Sequence, residues 1–291
     1  MNQLSHRLVG YILSLIVVVS FAVYPSVSPL GLASQASPFG FVFLAMMIST
    51  LGIGTLVLVR GDKLLPTKNE IPSLTLISLI FLLEHVCLLY ALKYLQVPVA
   101  MSLIYLYPFA VAGLEIIGGK ERISLRLFGP LTLCLLGVSL VIGFSVEQLD
   151  IVGISLAIGQ ALMAASRIVL TAKLVKNTAG LLLTARMLLF AVLLALPILA
   201  LLPVVPPQTP LGWLAVSLAG LSGMIGHGCL AQALKRIDPI TFSVIMNLEP
   251  VVAAILSALF VGQLLTLQQY LGGILVICAV IVYGRLKKAS D

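Results

Sequence analysis

His85-Val86-Cys87-Leu88-Leu89-Tyr90-Ala91-Leu92-Lys93 and His227-Gly228-Cys229-Leu230-Ala231-Gln232-Ala233-Leu234-Lys235 share one pattern, H-x-C-L-x-x-A-L-K, at an offset of 142 in a chain of 291 residues. Leucine and alanine matches count for little in so apolar a sequence. The chain has only 3 His and 4 Cys, however, and one of each falls in register. At the same offset Leu106 pairs with Leu248 and Pro108 with Pro250. The chain therefore reads as an internal duplication, with halves 1–146 and 147–291. A duplicated half in a membrane protein points to a carrier with its binding site near the repeat interface.

Composition places the chain in lipid. Hydrophobic residues make up 60% and charged residues 9%, and mean hydropathy is +1.18. A soluble domain carries about 25% charged residues. A helix needs about 20 apolar residues to cross the hydrocarbon core. Ten stretches qualify: 8–30, 38–60, 72–94, 97–118, 124–145, 150–173, 179–202, 210–234, 238–261 and 267–286. Backbone in lipid must satisfy itself, and these runs are too long for barrel strands, so an all-α integral membrane fold is expected. Five spans per half is an odd number. The second half must then enter from the opposite face, which makes the two five-helix repeats inverted in topology.

The net charge of +7 reports orientation, not a nucleic-acid partner. With the N-terminus inside, the inner ends hold Arg7; Arg60, Lys63 and Lys68; Lys120, Arg122 and Arg126; Lys173 and Lys176; Lys235 and Arg236; Arg285, Lys287 and Lys288. That is 14 of 17 basic residues, and the outer ends hold only Lys93. The bias places both termini in the cytoplasm. The first span is longer than a signal-peptide core and is expected to be retained. Cys87, Cys134, Cys229 and Cys278 lie within spans and read as packing residues, with no disulfide, metal site or cofactor expected. Trp213 and Tyr11 suit anchors at opposite interfaces. No G-x-x-x-x-G-K-[ST] pattern occurs, so ATP hydrolysis is not the expected drive.

Candidate site residues follow from polarity and helix chemistry. A proline inside a helix removes one hydrogen bond and clashes with the carbonyl four residues back. Pro108 should disturb the carbonyl of Ile104, and Pro250 that of Met246. Interrupted helices at matching positions are the sequence sign of a transport site; an ordinary kink is the structural alternative. Tyr105 pairs with Asn247 at the repeat offset, and Tyr107 with Glu249. Ser102 with Tyr105, and Ser243 with Asn247, share helix faces, as cavity lining or as interhelical hydrogen-bonding groups. Glu84, His85, Arg167, Arg186, His227 and Glu249 are ionisable groups within spans, and at membrane depth such groups pair or face a water-filled cavity. Pairing of Glu84 or Glu249 with Arg186 is one arrangement. A substrate carboxylate on Arg186 or Arg167 is another, since guanidinium suits its fork. Glu84, Glu249 or a histidine is the candidate carrier of a coupling proton. Glu115 lies nearer a span end, within reach of water. Gly220, Gly223, Gly226 and Gly228 should permit close helix contact in span 8, whereas Gly137 with Val141 makes no GxxxG pattern.

With these features the chain resembles the drug/metabolite transporter superfamily, in its ten-helix EamA-type group. The resemblance rests on the repeats, on Ala91-Leu92-Lys93-Tyr94-Leu95 leading into Tyr107-Pro108, and on Ala233-Leu234-Lys235-Arg236-Ile237 leading into Leu248-Glu249-Pro250. The family's glycine-glutamate pair before the fifth helix of each repeat is altered here. Gly119-Lys120-Glu121 has an inserted residue and Gly262-Gln263 has Gln for Glu; both still reach Ser124 and Thr266. Phe21-Ala22-Val23-Tyr24 stands where relatives often carry Trp. Arg186 near the start of span 7 also follows the family's pattern. The resemblance implies an inner-membrane carrier, often an exporter of amino acids or other small metabolites. It would work by alternating access around a cavity walled by spans 1, 3, 4, 6, 8 and 9. The expected site residues are Glu84, His85, Tyr105, Pro108, Arg186, His227, Asn247, Glu249 and Pro250. The expected partners are a small-molecule substrate, lipid and protons. Efflux of amphipathic drugs, uptake or facilitated exchange, and a channel stand as alternatives. A catalytic use of Glu84-His85 lacks any H-E-x-x-H or other metal-ligand spacing.

Overall fold

The computed structural model describes residues 3–121, 125–143, 150–201, 204–261 and 265–288, and every regular element among them is helical. The helices are α1 (Gln3–Ala33), α2 (Pro38–Val59), α3 (Ile71–Tyr94), α4 (Val97–Ile104), α5 (Tyr107–Ile117) and α6 (Leu125–Ile142). The second half continues with α7 (Ile151–Leu174), α8 (Gly180–Ala195), α9 (Pro210–Leu234), α10 (Pro239–Met246), α11 (Glu249–Val261) and α12 (Leu267–Lys288). Nine segments among the described residues are long and apolar enough to cross a membrane, with α4–α5 and α10–α11 each counting as one. The tenth, α6, carries the shorter apolar run Phe128–Ile142. Its expected ends at 124 and 145 lie outside the described residues, as do Arg122, Ser124, Gly262 and Gln263. The chain is thus an integral membrane protein of ten spans, arranged as two inverted five-helix repeats.

The repeat is visible in the elements themselves. Both α4 and α10 are 8 residues long. They begin at Val97 and Pro239 and end at Ile104 and Met246, and their continuations begin at Tyr107 and Glu249. Each pair of positions is 142 residues apart. The breaks fall where Pro108 and Pro250 deny a hydrogen bond to Ile104 and Met246. Both helices tighten rather than open at the break. The Leu106 amide donates to the Leu103 carbonyl at 3.1 Å, and the Leu248 amide to the Ile245 carbonyl at 3.0 Å. Such i→i−3 bonds are the usual closing geometry of a helix end. Pro197 likewise ends α8 and leaves a single 3-10 turn, Leu196–Ala200.

Clustering of the backbone divides the chain into two compact units. One runs to Leu82 and resumes at Leu170–Arg236; the other comprises Leu83–Val169 and the chain from Ile237 onward. In the first unit α9 packs against α1, α2 and α8. Close approach explains the glycines of α9. A Cβ on Gly220 would sit 2.6 Å from the Ile48 Cβ, and one on Gly226 would run into the Phe21 ring. Gly228 has only ordinary contact, with Leu181 at 3.5 Å. A core of Ile53, Val57, Ile77, Phe81 and Leu188 joins α2, α3 and α8. Between spans in lipid such contacts stabilise by close van der Waals packing, not by removal from water.

In the second unit α6 packs along α12. Gly137 is a contact the sequence pattern did not reveal: its added Cβ would lie 2.9 Å from the Gly272 carbonyl oxygen. The glycine pair lies across two helices, so no spacing within one helix announces it. Ala91, Leu95, Ala100, Ile104 and Ala157 form a second core joining α3, α4 and α7. Thr266 caps α12 reciprocally with Gln269: the Thr266 amide donates to Gln269 Oε1 at 2.9 Å, and the Gln269 amide to Thr266 Oγ1 at 3.3 Å. This is capping-box geometry. At the start of α10, Asp238 accepts from the Thr241 amide at 2.9 Å and pairs with Lys287 at 3.0 Å. Burial pushes its carboxyl up, but the Lys287 charge and the Thr241 bonds outweigh this and hold it below the usual carboxylate range.

Candidate functional site

The candidate site is built in the second unit, where the two helix breaks meet a buried ion pair. Seven of the nine expected residues belong to this unit: Glu84, His85, Tyr105, Pro108, Asn247, Glu249 and Pro250. Arg186 and His227 belong to the first unit.

Glu84 and Arg167 form the ion pair. Arg167 Nε donates to Glu84 Oε2 at 2.6 Å, and Nη2 to Oε1 at 3.0 Å. The two side chains are only 9% and 7% exposed. Two parallel bonds between a guanidinium and a carboxylate are the strongest form of such a pair. Each charge neutralises the other in a place where water cannot. The expected partnership of Glu84 or Glu249 with Arg186 is therefore corrected. Glu84 takes Arg167, and Arg186 takes Glu70 in the α2–α3 connection, because helix rotation, which helices apolar all round leave open in the sequence, decides the partner.

The second break brings polar atoms to the first. The Asn247 amide turns to the Val244 carbonyl, three residues back. The Ser243 carbonyl, one residue further, accepts instead from Asn247 Nδ2 and from the Tyr107 hydroxyl, both at 3.3 Å. The side chain of one broken helix thus bonds to backbone of its repeat counterpart, α10. Tyr105 lies beside Tyr107, with ring centroids 6.3 Å apart. Broken helices at membrane depth persist where protein groups re-satisfy the freed backbone or where it lines a cavity.

Asn247 is 1% exposed, and its Oδ1 has no hydrogen-bond partner among the described residues. The amide is not free to flip, because Nδ2 must face the Ser243 carbonyl. On α7, Gln160 is 7% exposed with Oε1 also unpartnered. Gln160 and Arg167 are seven residues apart and share a helix face. Glu249 opens α11 and makes no hydrogen bond or ion pair among the described residues. It interacts electrostatically with Glu84, Tyr105 and Tyr107. Tyr107 also feels Arg167 and Glu84. These groups therefore share one electrostatic neighbourhood, with one paired acid and one unpaired acid. His85 follows Glu84 on α3 and is half-buried.

The other two expected residues have different surroundings. Arg186 reaches the connection between α2 and α3. Its Nε donates to the Leu64 carbonyl at 3.0 Å, Nη2 to Lys63 and Leu65 carbonyls at 2.8 and 3.2 Å, and Nη1 to Glu70 at 2.8 Å. Bonds from the Thr67 backbone and hydroxyl, then the Arg186 charge, hold the Glu70 carboxyl below its usual range. His227 packs tilted against Phe21 and edge-on to Phe81, with ring centroids 4.9 and 5.4 Å away. Glu115, expected to reach water, is instead 4% exposed and bonded to Lys120 at 3.1 Å. No group of three or more potential metal ligands occurs among the described residues.

Sequence reasoning weighed Tyr107 and Arg167 without placing them in the expected set, and it passed over Gln160. Tyr107 is the repeat counterpart of Glu249, and Gln160 lies two turns from Arg167. Those two spacings were the available signals.

Residues 8–143 and 151–285 each match the model of the EamA-like transporter family. A solved structure described only as "Crystal structure of protein" superposes with a TM-score of 0.79 at 20% identity, covering 97% of this chain and 98% of that one. At that identity the likeness speaks for the fold alone. No curated protein matches the chain.

Proposed function

The chain belongs to the EamA-like transporter family, whose members are drug/metabolite transporters, and from that premise we propose that it exports small polar metabolites, amino acids foremost, in exchange for protons. Residues 1–146 and 147–291 act as the two repeats that rock about the site to give alternating access. The membrane is the cell inner membrane, with both termini in the cytoplasm, as the distribution of lysine and arginine supports.

The observation that carries this reading is the unpaired acid at the second break. A charge at the membrane centre costs at least about 2.5–3.5 kcal/mol on insertion scales. Glu84 escapes this cost through Arg167, whereas Glu249 has no ion-pair partner among the described residues. An acid so placed is neutralised either by a proton or by a cationic group of the cargo. Exclusive occupancy by one or the other couples the two fluxes. Tyr105, Asn247 and the backbone at Pro108 and Pro250 then line the cargo's path.

The test is counterflow in proteoliposomes with pooled labelled amino acids and small metabolites, with and without an imposed pH gradient. The expected result is accumulation of one cargo class that the gradient stimulates, and loss of that stimulation in Glu249→Gln, whose residual exchange ignores the gradient. Accumulation that ignores the gradient would make the protein a facilitator. Stimulation that survives Glu249→Gln would remove the acid from the coupling step. Conductance without counterflow would make it a channel.

A further inference from the structure

We infer that one end of the first unit is a surface for anionic phospholipids, whose headgroup phosphates neutralise a cluster of exposed cations. The two units differ in charge. The first holds nine basic residues and two acids, and with them the whole net charge of +7; the second holds eight of each. Orientation in a membrane asks for cations at one face. It does not ask that one unit carry the entire excess. Six of the nine, Arg60, Lys63, Lys68, Lys173, Lys176 and Lys235, are exposed. None of these six side chains has an ion pair or hydrogen bond among the described residues. Of the two acids, Asp62 and Glu70, the second is taken by Arg186.

The segments that carry the six are packed together within the unit. The cations stand at or just beyond the ends of α2, α7 and α9, or in the α2–α3 connection. Arg186 on α8 donates to the Lys63 and Leu65 carbonyls and so ties that connection to α8. Val175, one residue before Lys176, shares a core with Leu183 of α8 and with Ala231, one turn before Lys235. A Cβ on Gly180, the first residue of α8, would lie 3.2 Å from the Gln232 amide nitrogen. Like charges gathered at one end repel, and the unit holds no acids to offset them. Apolar side chains stand among the cations: Val59, beside Arg60, is 80% exposed, and Leu65, two residues from Lys63, is 79% exposed. Cationic heads on apolar stems beside exposed aliphatic side chains suit the boundary between headgroups and acyl chains. Anionic lipid supplies the missing charge at that depth. The surface lies outside the candidate site, which is built in the second unit.

The experiment titrates the full chain in detergent with phosphatidylglycerol and reads the thermal unfolding midpoint. Phosphatidylcholine of the same acyl chains, inorganic phosphate and poly-glutamate are titrated separately. Phosphatidylglycerol is expected to raise the midpoint with saturation in 0.1 M KCl. The rise should shrink in 1 M KCl, where the screening length falls from about 10 to about 3 Å. Lys63→Gln/Lys173→Gln/Lys176→Gln should raise the half-saturating lipid fraction about fivefold for each lysine removed. Arg285→Gln, which removes an exposed cation of the second unit, should leave it unchanged. Lys173→Gln alone gives the same reading should the triple variant fold poorly. An equal response to phosphatidylcholine would assign the effect to acyl chains and overturn the inference. Saturation by inorganic phosphate at the same concentration would overturn it in favour of a site for free anions. A response to poly-glutamate without one to phosphatidylglycerol would overturn it in favour of an acidic polypeptide. A lysine variant that responds as the parent does would overturn the assignment to the first unit.

Discussion

Arg167 and Arg186 are buried alike, each 6% exposed, yet opposite kinds of partner hold them. Arg167 meets a carboxylate carried on another helix, so two rigid elements present one charge to the other. Arg186 meets three backbone carbonyls of the α2–α3 connection, with Glu70 closing the set. The first arrangement neutralises charge where no water reaches. The second fixes the path of an exposed segment. Burial alone therefore does not tell what an intramembrane arginine does; the nature and mobility of its acceptors do.

The comparison breaks most sharply on removal of the cations. Arg167→Met leaves Glu84 buried without a counter-charge and should destabilise the protein by about 3–5 kcal/mol. Adding Glu84→Leu should recover most of that loss, because a well-packed apolar pair removes the stranded charge. Thermal unfolding of the two variants and the double variant in detergent checks this as a double-mutant cycle. If the double variant is no more stable than Arg167→Met, the pair is not a unit and the contrast with Arg186 fails.

The two helix breaks were legible in the sequence to the residue. Ile104 and Met246 end their helices as Pro108 and Pro250 require, because the rule concerns covalent geometry and needs no tertiary partner. The ion pairs were not legible. Glu84, Glu249, Arg167 and Arg186 were identifiable from apolar context, though Glu115 was expected to reach water and is buried, but which acid meets which arginine depends on helix rotation. Hydropathy leaves that open in helices that are apolar all round. The partners of Arg186 were hidden for a deeper reason. Backbone carbonyls of Lys63, Leu64 and Leu65 carry no side-chain signature, and Glu70 reads as an ordinary loop acid. Asn247 was singled out by its repeat position, yet its unpartnered Oδ1 emerges only once the Ser243 carbonyl is seen to hold the other end of the amide.

A smaller effect sharpens the role of Arg186. Arg186→Lys keeps the charge but cannot span three carbonyls and a carboxylate from one planar fork. Two or more hydrogen bonds should be lost, for about 1–3 kcal/mol. The loss should appear as local opening of residues 61–70, not as global unfolding, since exposed carbonyls turn to water. Trypsin cleavage after Lys63 or Lys68 in reconstituted protein should accelerate about tenfold for each 1.4 kcal/mol of eased opening. Unchanged cleavage with a lowered unfolding midpoint would show that Arg186 supports the helices, as Arg167 does.

The smallest effect concerns the acid that closes the set. Glu70 has a side chain 35% exposed, so Glu70→Gln should cost less than about 1 kcal/mol. Gln retains an acceptor for the Thr67 amide, so the variant isolates the charge. The bonds from Thr67, and then Arg186, lower the carboxyl's affinity for protons in the folded state. A carboxyl so shifted contributes stability above its unfolded value, about pH 4.3, and loses that contribution as pH falls through its lower folded value. Protease sensitivity of residues 61–70 should therefore rise on acidification below about pH 4 in the parent protein and change less in Glu70→Gln. An acid-tolerant protease is needed as the probe. Equal acid response in both proteins would mean that the carbonyl bonds of Arg186 hold the segment without help from the charge, so that the two arginines differ even more than their partners suggest.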